Sequence, residues 1–284
     1  MAVDSHIQIP KCILKHFSDN SHRVFYLDLE TEHIGLTSAK KLGTEFGYYS
    51  DAQEKFLSKE IENPLNLLAG KVRRWHNQNE ETLELPVSEE TVLKRYIASA
   101  MSRSSLALES MEKSRGIYSR LFLSNQQIHD FIATFGIEKD NSIYQAIKDY
   151  YLVVLVNKTS INWVVPRNCF YTVESKGCDC IVAPISPQCA LCLFPPKYAE
   201  KIANSISYRF GVVDNPEQIE KMNVQALIYE YIFNRTFVAS ASKKELEYLK
   251  AKLIEMREIL NCHREDVRRI KNKETKAGVE GEYN

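Results

Sequence analysis

Apolar and polar positions alternate with a period of two in Arg23-Val24-Phe25-Tyr26-Leu27-Asp28-Leu29, with Phe25, Leu27 and Leu29 on one face and Val24, Tyr26 and Asp28 on the other. That is the pattern of a half-buried strand. A turn at Glu30-Thr31-Glu32 leads to His33-Ile34-Gly35-Leu36, read as its hairpin partner. A helical period then takes over. Ser50 with Gln53 forms a capping box, and the helix it opens carries Phe56, Leu57 and Ile61 on one face. Asn63-Pro64 fits an N-cap followed by a proline at the first helical position. A second helix is therefore expected to bury Leu65, Leu68, Val72 and Trp75, before a polar connection from His76 to Glu81. Ser88, followed by Glu89 and Glu90, opens another helix, with Val92, Leu93, Tyr96, Ile97 and Met101 inward. More helix is expected from Ser105 to Ser114, ended by Gly116. Ser124 with Gln127 is a second capping box, with Ile128, Phe131, Ile132 and Phe135 as a buried stripe and Gly136 as the C-terminal cap. A short helix follows across Ser142 to Lys148.

The pattern changes again at Tyr150. Tyr150 to Val156, Asn162 to Val165, Cys178 to Ala183 and Cys189 to Phe194 are nearly continuous apolar runs, the mark of buried central strands. From Pro196 the chain reads as helical. Ser242 with Glu245 is a third capping box, and Leu246, Leu249, Leu253, Met256 and Leu260 follow in steps of three and four along a long amphipathic helix. These elements predict an α+β fold in one domain over residues 1–272. Its strands are expected to join a mixed sheet of about five to seven strands. A mainly helical section covers 88–149, a long C-terminal helix covers 242–272, and 273–284 is expected to be a flexible tail.

Composition adds bounds. The chain has 284 residues, 44% hydrophobic and 26% charged, enough for a sizeable core. Lys+Arg and Asp+Glu are 37 each, so net charge offers no global argument for nucleic acid or an anionic membrane. The cysteine count of seven is odd, and the start Met1-Ala2-Val3-Asp4-Ser5 lacks a basic region followed by an apolar one. The longest apolar run is too short to span a bilayer. A cytoplasmic protein with free thiols and no membrane span is expected.

Several short motifs resemble one known family. The segment His6-Ile7-Gln8-Ile9-Pro10-Lys11-Cys12-Ile13-Leu14-Lys15-His16-Phe17 is similar to the opening of the bacterial domain-of-unknown-function family 4238. That opening reads His-His-Tyr-hydrophobic-Pro and then an apolar run ending in Leu-x-x-Phe. His6, Pro10, Leu14 and Phe17 fit, while Ile7 replaces the second His. Tyr48-Tyr49-Ser50 before an acidic helix, Tyr96-Ile97-Ala98 and Arg103-Ser104 look like its next blocks. A Ser-Asp-Asn-Pro segment of the family corresponds to Trp163-Val164-Val165-Pro166-Arg167-Asn168-Cys169, where only Asn168 is kept and Arg167 stands at the Asp position. Pro184-Ile185-Ser186-Pro187, Asn223 and Phe237-Val238-Ala239-Ser240 look like the closing part. The resemblance covers residues 5–250 approximately and implies no agreed activity. By analogy it implies a bacterial stress or antiphage setting.

The resemblance also singles out candidate residues. His6, Arg103 and Asn168 come from three separate blocks. Together an imidazole, a guanidinium and an amide would bind an anion such as phosphate. The structural alternative has His6 capping the first segment, Arg103 pairing with a helical carboxylate and Asn168 closing a turn. Cys178, Cys180, Cys189 and Cys192 have spacing compatible with zinc, but Cys189 and Cys192 would point to opposite faces of a strand. Glu54, Glu60 and Glu62 could supply carboxylates for a metal, but Glu54 and Glu62, eight apart on one side of a helix, read as a solvated face, and His129 and Asp130 as surface positions. No Gly-rich phosphate loop, Gly-x-Ser-x-Gly elbow or His-Glu-x-x-His is present, so no cofactor is expected. Between Lys243 and Lys276 there are eleven Lys/Arg against seven Asp/Glu, concentrated at Arg264, Arg268, Arg269, Lys271 and Lys273. That helix offers a surface for nucleic acid or an acidic partner, and its leucine seam a surface for a second copy.

The first expectation is a non-catalytic sensing or interaction protein of a bacterial stress or antiphage defence system, with a protein partner. The missing Asp, the missing second His and the neutral charge favour it. The alternatives are a hydrolase or nuclease acting on nucleic acid or nucleotides around His6 and Arg103, and a zinc-stabilised binding module.

Overall fold

The computed structural model describes residues 4–6, 9–46, 48–78, 86–104, 125–135, 142–175, 178–203 and 210–280. A short strand β1 (Asp4–His6) is followed by helix α1 (Lys11–His16), which buries Ile13 and Leu14 and leaves Phe17 fully enclosed at its end. The alternating segment forms the expected hairpin of β2 (Arg23–Asp28) and β3 (Ile34–Ser38), paired from Arg23↔Ser38 to Leu27↔Ile34. Strand β4 (Thr44–Phe46) returns to pair with β1.

Ser50 caps α2 (Asp51–Leu57), its hydroxyl accepting from the Gln53 N–H at 3.2 Å. The reciprocal half of the capping box is rerouted. The Ser50 N–H donates to Asp130 at 3.0 Å, and the Gln53 side-chain oxygen accepts from Thr134 at 2.9 Å. The separate helix start at Asn63 needs correction. α2 passes through a π-helical turn (Ser58–Glu62) directly into α3 (Asn63–Gln78), and Asn63 itself is helical. Pro64 lacks an N–H and its ring crowds the carbonyl four residues back, and a wider π turn relieves that contact. Helices α4 (Val87–Ser102), α5 (Asn125–Phe135) and α6 (Ser142–Ile147) follow. The predictions at Ser105–Ser114, Gly116, Ser124 and Gly136, and the side chains of Val72, Trp75, Ile128 and Phe135, lie outside the described residues. Phe131, expected in the buried stripe of α5, is 58% exposed, because the helix turns Ile132 and Ala133 inward instead.

The second half begins with β5 (Tyr151–Asn157), the two-residue β6 (Val165–Pro166), β7 (Tyr171–Ser175), β8 (Cys178–Ser186) and β9 (Cys189–Phe194). After a short 3-10 turn come α7 (Ala199–Ala203), β10 (Phe210–Val213), α8 (Pro216–Phe233), β11 (Phe237–Ser240) and α9 (Lys243–Glu280). The fold is α+β, and the mixed sheet has five strands in the order β10-β5-β9-β8-β7, with β10 parallel to β5 and the other pairs antiparallel. The amino-terminal hairpin does not join it. Its strand β2 pairs with β11, which continues to β6, giving a separate sheet β3-β2-β11-β6. α8 contacts β7 and β10 of the larger sheet and β6 and β11 of the smaller. One apolar cluster runs from Ile9 to Leu260 across all these parts.

Two details at the amino end of α9 explain a shorter strand than expected. Ser242 accepts from the Lys244 N–H at 3.2 Å, but Glu245 does not complete a capping box. Its carboxylate accepts from the backbone and side-chain N–H groups of Asn162 at 3.1 and 3.2 Å. Asn223 of α8 then accepts from Val164 N–H at 3.0 Å and donates to the Asn162 carbonyl at 2.8 Å. These side chains occupy the backbone groups of Asn162–Val164 that a ladder would need, and the strand shrinks to β6. The leucine seam Leu246, Leu249, Leu253 and Leu260 is buried against its own domain, where α9 packs on α8, β2, β3 and β11. The seam offered for a second copy is thus already filled, and the helix runs past 272 to Glu280. No helix among the described residues is long and apolar enough to cross a membrane.

Candidate functional site

Arg103 sits at the carboxyl end of α4, only 3% exposed. Its Nε–H donates to the Ser99 carbonyl at 3.2 Å, helping to close the helix end. The Tyr49 hydroxyl bonds to its guanidinium, and Glu62 and Cys169 face it. Burial works against the Arg103 charge, but Tyr49, Cys169 and Glu62 outweigh it and hold the group above its ordinary value. The effect is mutual. Burial pushes Glu62 up and Arg103 pulls it back, with Glu54 raising it and Lys11 and Lys15 lowering it. Burial likewise raises Tyr49 and Cys169, each to about 12, with Arg103 opposing both. Glu62 therefore belongs to an enclosed cluster, not to a solvated face. The π turn, which rotates Glu62 inward next to the buried Ile61, is a feature that helical periodicity does not register.

The segment read as surface at His129 and Asp130 is also tied in. The His129 ring stacks on Tyr48 with centroids 3.8 Å apart, its Nδ1 lies 3.2 Å from the Tyr48 carbonyl, and Asp130 holds Ser50. A stacked histidine over an exposed helix start leaves no trace in amphipathic periodicity.

A second polar group lies just beyond Cys169. The turn Pro166–Cys169 is closed by a Cys169 N–H bond to the Pro166 carbonyl at 2.9 Å, with Cys169 in the left-handed region at φ 67°. Asn168 is fully buried. Its N–H donates to Glu230 at 3.4 Å, while both polar atoms of its carboxamide have no partner among the described residues. Glu230, fully buried in α8, also accepts from the Thr236 hydroxyl. Burial pushes its carboxyl up to about 7, against the contacts from Thr236, Asn168 and Arg167. Asn234 leans on the same carboxyl without closing a well-formed hydrogen bond. Sequence reasoning missed Glu230. The available signal was one carboxylate inside the otherwise apolar Ala226-Leu227-Ile228-Tyr229-Glu230-Tyr231-Ile232-Phe233.

Cys169, which follows Asn168 in the chain, faces both Arg103 and Glu230 and so links the two groups. His6 ends β1 opposite Thr44, and its side chain lies outside the described residues. The cysteine array does not converge. Cys180 and Cys192 share one face of the five-stranded sheet with Tyr171, and the Cys192 thiol donates towards Cys180 and lowers its pKa. Cys189, three residues before Cys192, takes the opposite face beside Ser186, and burial raises it to about 12. The Cys178 side chain lies outside the described residues. Among those described, no three His, Cys, Asp or Glu side chains gather closely enough to hold a metal ion.

On α9, Arg269 is answered by Glu265 and Asp266 at 3.7 and 3.6 Å, and Arg257 by Glu32. Arg264 is different. Partial burial lowers its pKa, and Arg268 and Arg235 add like-charge repulsion. The side chains of Lys271 and Lys273 lie outside the described residues.

Two enclosed polar groups, meeting between a helical layer and the junction of two sheets, define an α+β protein with a polar centre and no recognisable cofactor loop. Residues 6–244 match the model of the family described as Protein of unknown function (DUF4238), and the chain belongs to that family. No curated protein and no solved structure matches it.

Proposed function

We propose that the protein is a non-catalytic sensing or interaction protein of a bacterial stress or antiphage defence system. The enclosure of Arg103 carries the reading. A guanidinium that acts on a substrate must face it, whereas Arg103 is spent on Ser99, Tyr49 and Glu62 inside the fold. A structural ion cluster perturbs pKa values just as an active site does. A zinc-stabilised module gains no support from cysteines on opposite sheet faces. A cytoplasmic setting goes with the reading, supported by the odd cysteine count. The partner is a protein, and Arg264, which Arg268 and Arg235 repel more than Glu30 and Tyr231 offset, favours an acidic surface on it.

The test is an assay of the purified chain on DNA, RNA and nucleoside triphosphates with magnesium or manganese. No product above background is expected. Turnover that Arg103→Lys removes at unchanged melting temperature would overturn the reading and restore the hydrolase alternative. Nucleic-acid binding that falls with salt and is lost in Arg264→Glu with Arg268→Glu would replace the protein partner by a nucleic acid.

A further inference from the structure

We infer that the niche around Glu230 binds a small oxyanion, of carboxylate or phosphate type, through Arg167, Asn168 and Asn234. The inference goes beyond the interaction reading and does not depend on it. Three observations converge. Three buried polar atoms about one carboxyl have no protein partner among the described residues, both of the Asn168 carboxamide and Arg167 Nε, and Asn234 beside them makes only a poorly formed contact with that carboxyl. Native chains leave few such atoms, so a cluster of them marks a place where hydrogen bonds are offered to something else.

The offer is rich in donors. Glu230 already accepts from the Asn168 N–H and the Thr236 hydroxyl. Asn234 also contacts it, so the Asn168 carboxamide NH2 and the Arg167 Nε–H are surplus to it. Arg167 makes no ion pair among the described residues, although it lies close enough to lower Glu230. A guanidinium N–H flanked by amide donors is a common arrangement for holding an oxyanion. Glu230 does not forbid this, because burial raises its carboxyl to about 7, so that it is half protonated near pH 7 and mostly neutral by about pH 6.

The backbone is shaped there as well. Cys169 at φ 67° and Arg235 at φ 54° are non-glycine residues in the left-handed region, and both neighbour Glu230. Arg235 donates its N–H to the Glu230 carbonyl at 2.6 Å. Such conformations are uncommon and persist where surrounding structure enforces them. Asn168 and Glu230 are fully enclosed, while Arg167 and Asn234 are half-buried and lie nearer the surface.

Sodium sulfate and sodium acetate are titrated separately into the full chain at ionic strength held constant with sodium chloride. The readout is the NMR shift of the Arg167 Nε–H and of the Asn168 and Asn234 side-chain amides. Saturable shifts with either anion are expected, and the tighter anion assigns the headgroup as phosphate-like or carboxylate-like. Arg167→Gln should weaken that binding by about tenfold or more at unchanged melting temperature, and Arg167→Lys by less. Shifts no larger than chloride produces, or equal affinity in Arg167→Gln, overturn the inference.

Discussion

The Arg103 cluster and the Glu230 niche both neighbour Cys169 and solve burial differently. Around Arg103 every strong charge has an answer: Tyr49 and Glu62 face the guanidinium, and Lys11 and Lys15 help to hold Glu62. Around Glu230 the carboxyl has donors, Asn234 among them, but the Asn168 carboxamide and Arg167 Nε have no partner among the described residues. A compensated buried cluster holds elements together, here α1, the π turn, α4 and the turn after β6. An uncompensated one holds a place for a ligand. Position within a family motif does not separate the two, since Arg103 and Asn168 both come from such motifs. Compensation of charge does: the buried Ser99 hydroxyl beside Arg103 also lacks a hydrogen-bond partner among the described residues, but the Arg103 charge is answered.

The largest effect expected from this contrast is at Arg103. Arg103→Ala leaves Glu62 buried without its main counter-charge and should cost about 3–5 kcal/mol, the usual scale for breaking a buried pair from one side. Urea unfolding at pH 7 measures it. A variant as stable as the native chain would break the contrast, because Arg103 would then be no support of the fold. Next is Glu230. Its folded pKa of about 7 lies above the ordinary glutamate value of 4.5. The folded state therefore binds the proton more tightly than the unfolded chain. The stabilising contribution is fully present below about pH 4.5 and is lost as pH rises through 7, a change of roughly 3 kcal/mol at most. Glu230→Gln should flatten that part of the stability profile between pH 5 and 8 and be the more stable form at pH 8. A slope unchanged by Glu230→Gln would assign it to another group.

Much of the fold was legible because the signals were local. The Ser50 cap, the apolar runs of β5, β8 and β9 and the leucine seam of α9 each declare themselves within a few residues. What escaped was non-local. β7, β10 and β11 have only four or five residues each, and their places come from partners far along the chain, as when β11 pairs with β2. That pairing is why one expected sheet became two. The candidate site divides in the same way. Arg103 and Asn168 could be picked out by motif order, but their partners Glu62 and Glu230 sit in helices where a carboxylate ordinarily faces water. Only the π turn and the packing of α8 under the Pro166–Cys169 turn reveal that these two do not.

The finest separation comes from two asparagines of similar burial. Asn223 is 2% exposed and Asn168 is fully enclosed. The Asn223 carboxamide uses both ends, accepting from Val164 N–H at 3.0 Å and donating to the Asn162 carbonyl at 2.8 Å. Asn223→Leu would strand a backbone donor and a backbone acceptor where water cannot reach them, at about 1–3 kcal/mol each. Asn168→Leu strands nothing, because its carboxamide has no protein partner among the described residues and its backbone N–H to Glu230 remains. Its expected cost is below about 1 kcal/mol, within the range of a volume-conserving exchange, and a net gain in stability is consistent with the argument. The same substitution should abolish the sulfate or acetate response of the Arg167 Nε–H. Paired denaturation curves decide the matter. A loss at Asn168→Leu as large as at Asn223→Leu would mean that the Asn168 amide is bonded within the protein, and the contrast between the two groups beside Cys169 would fall with it.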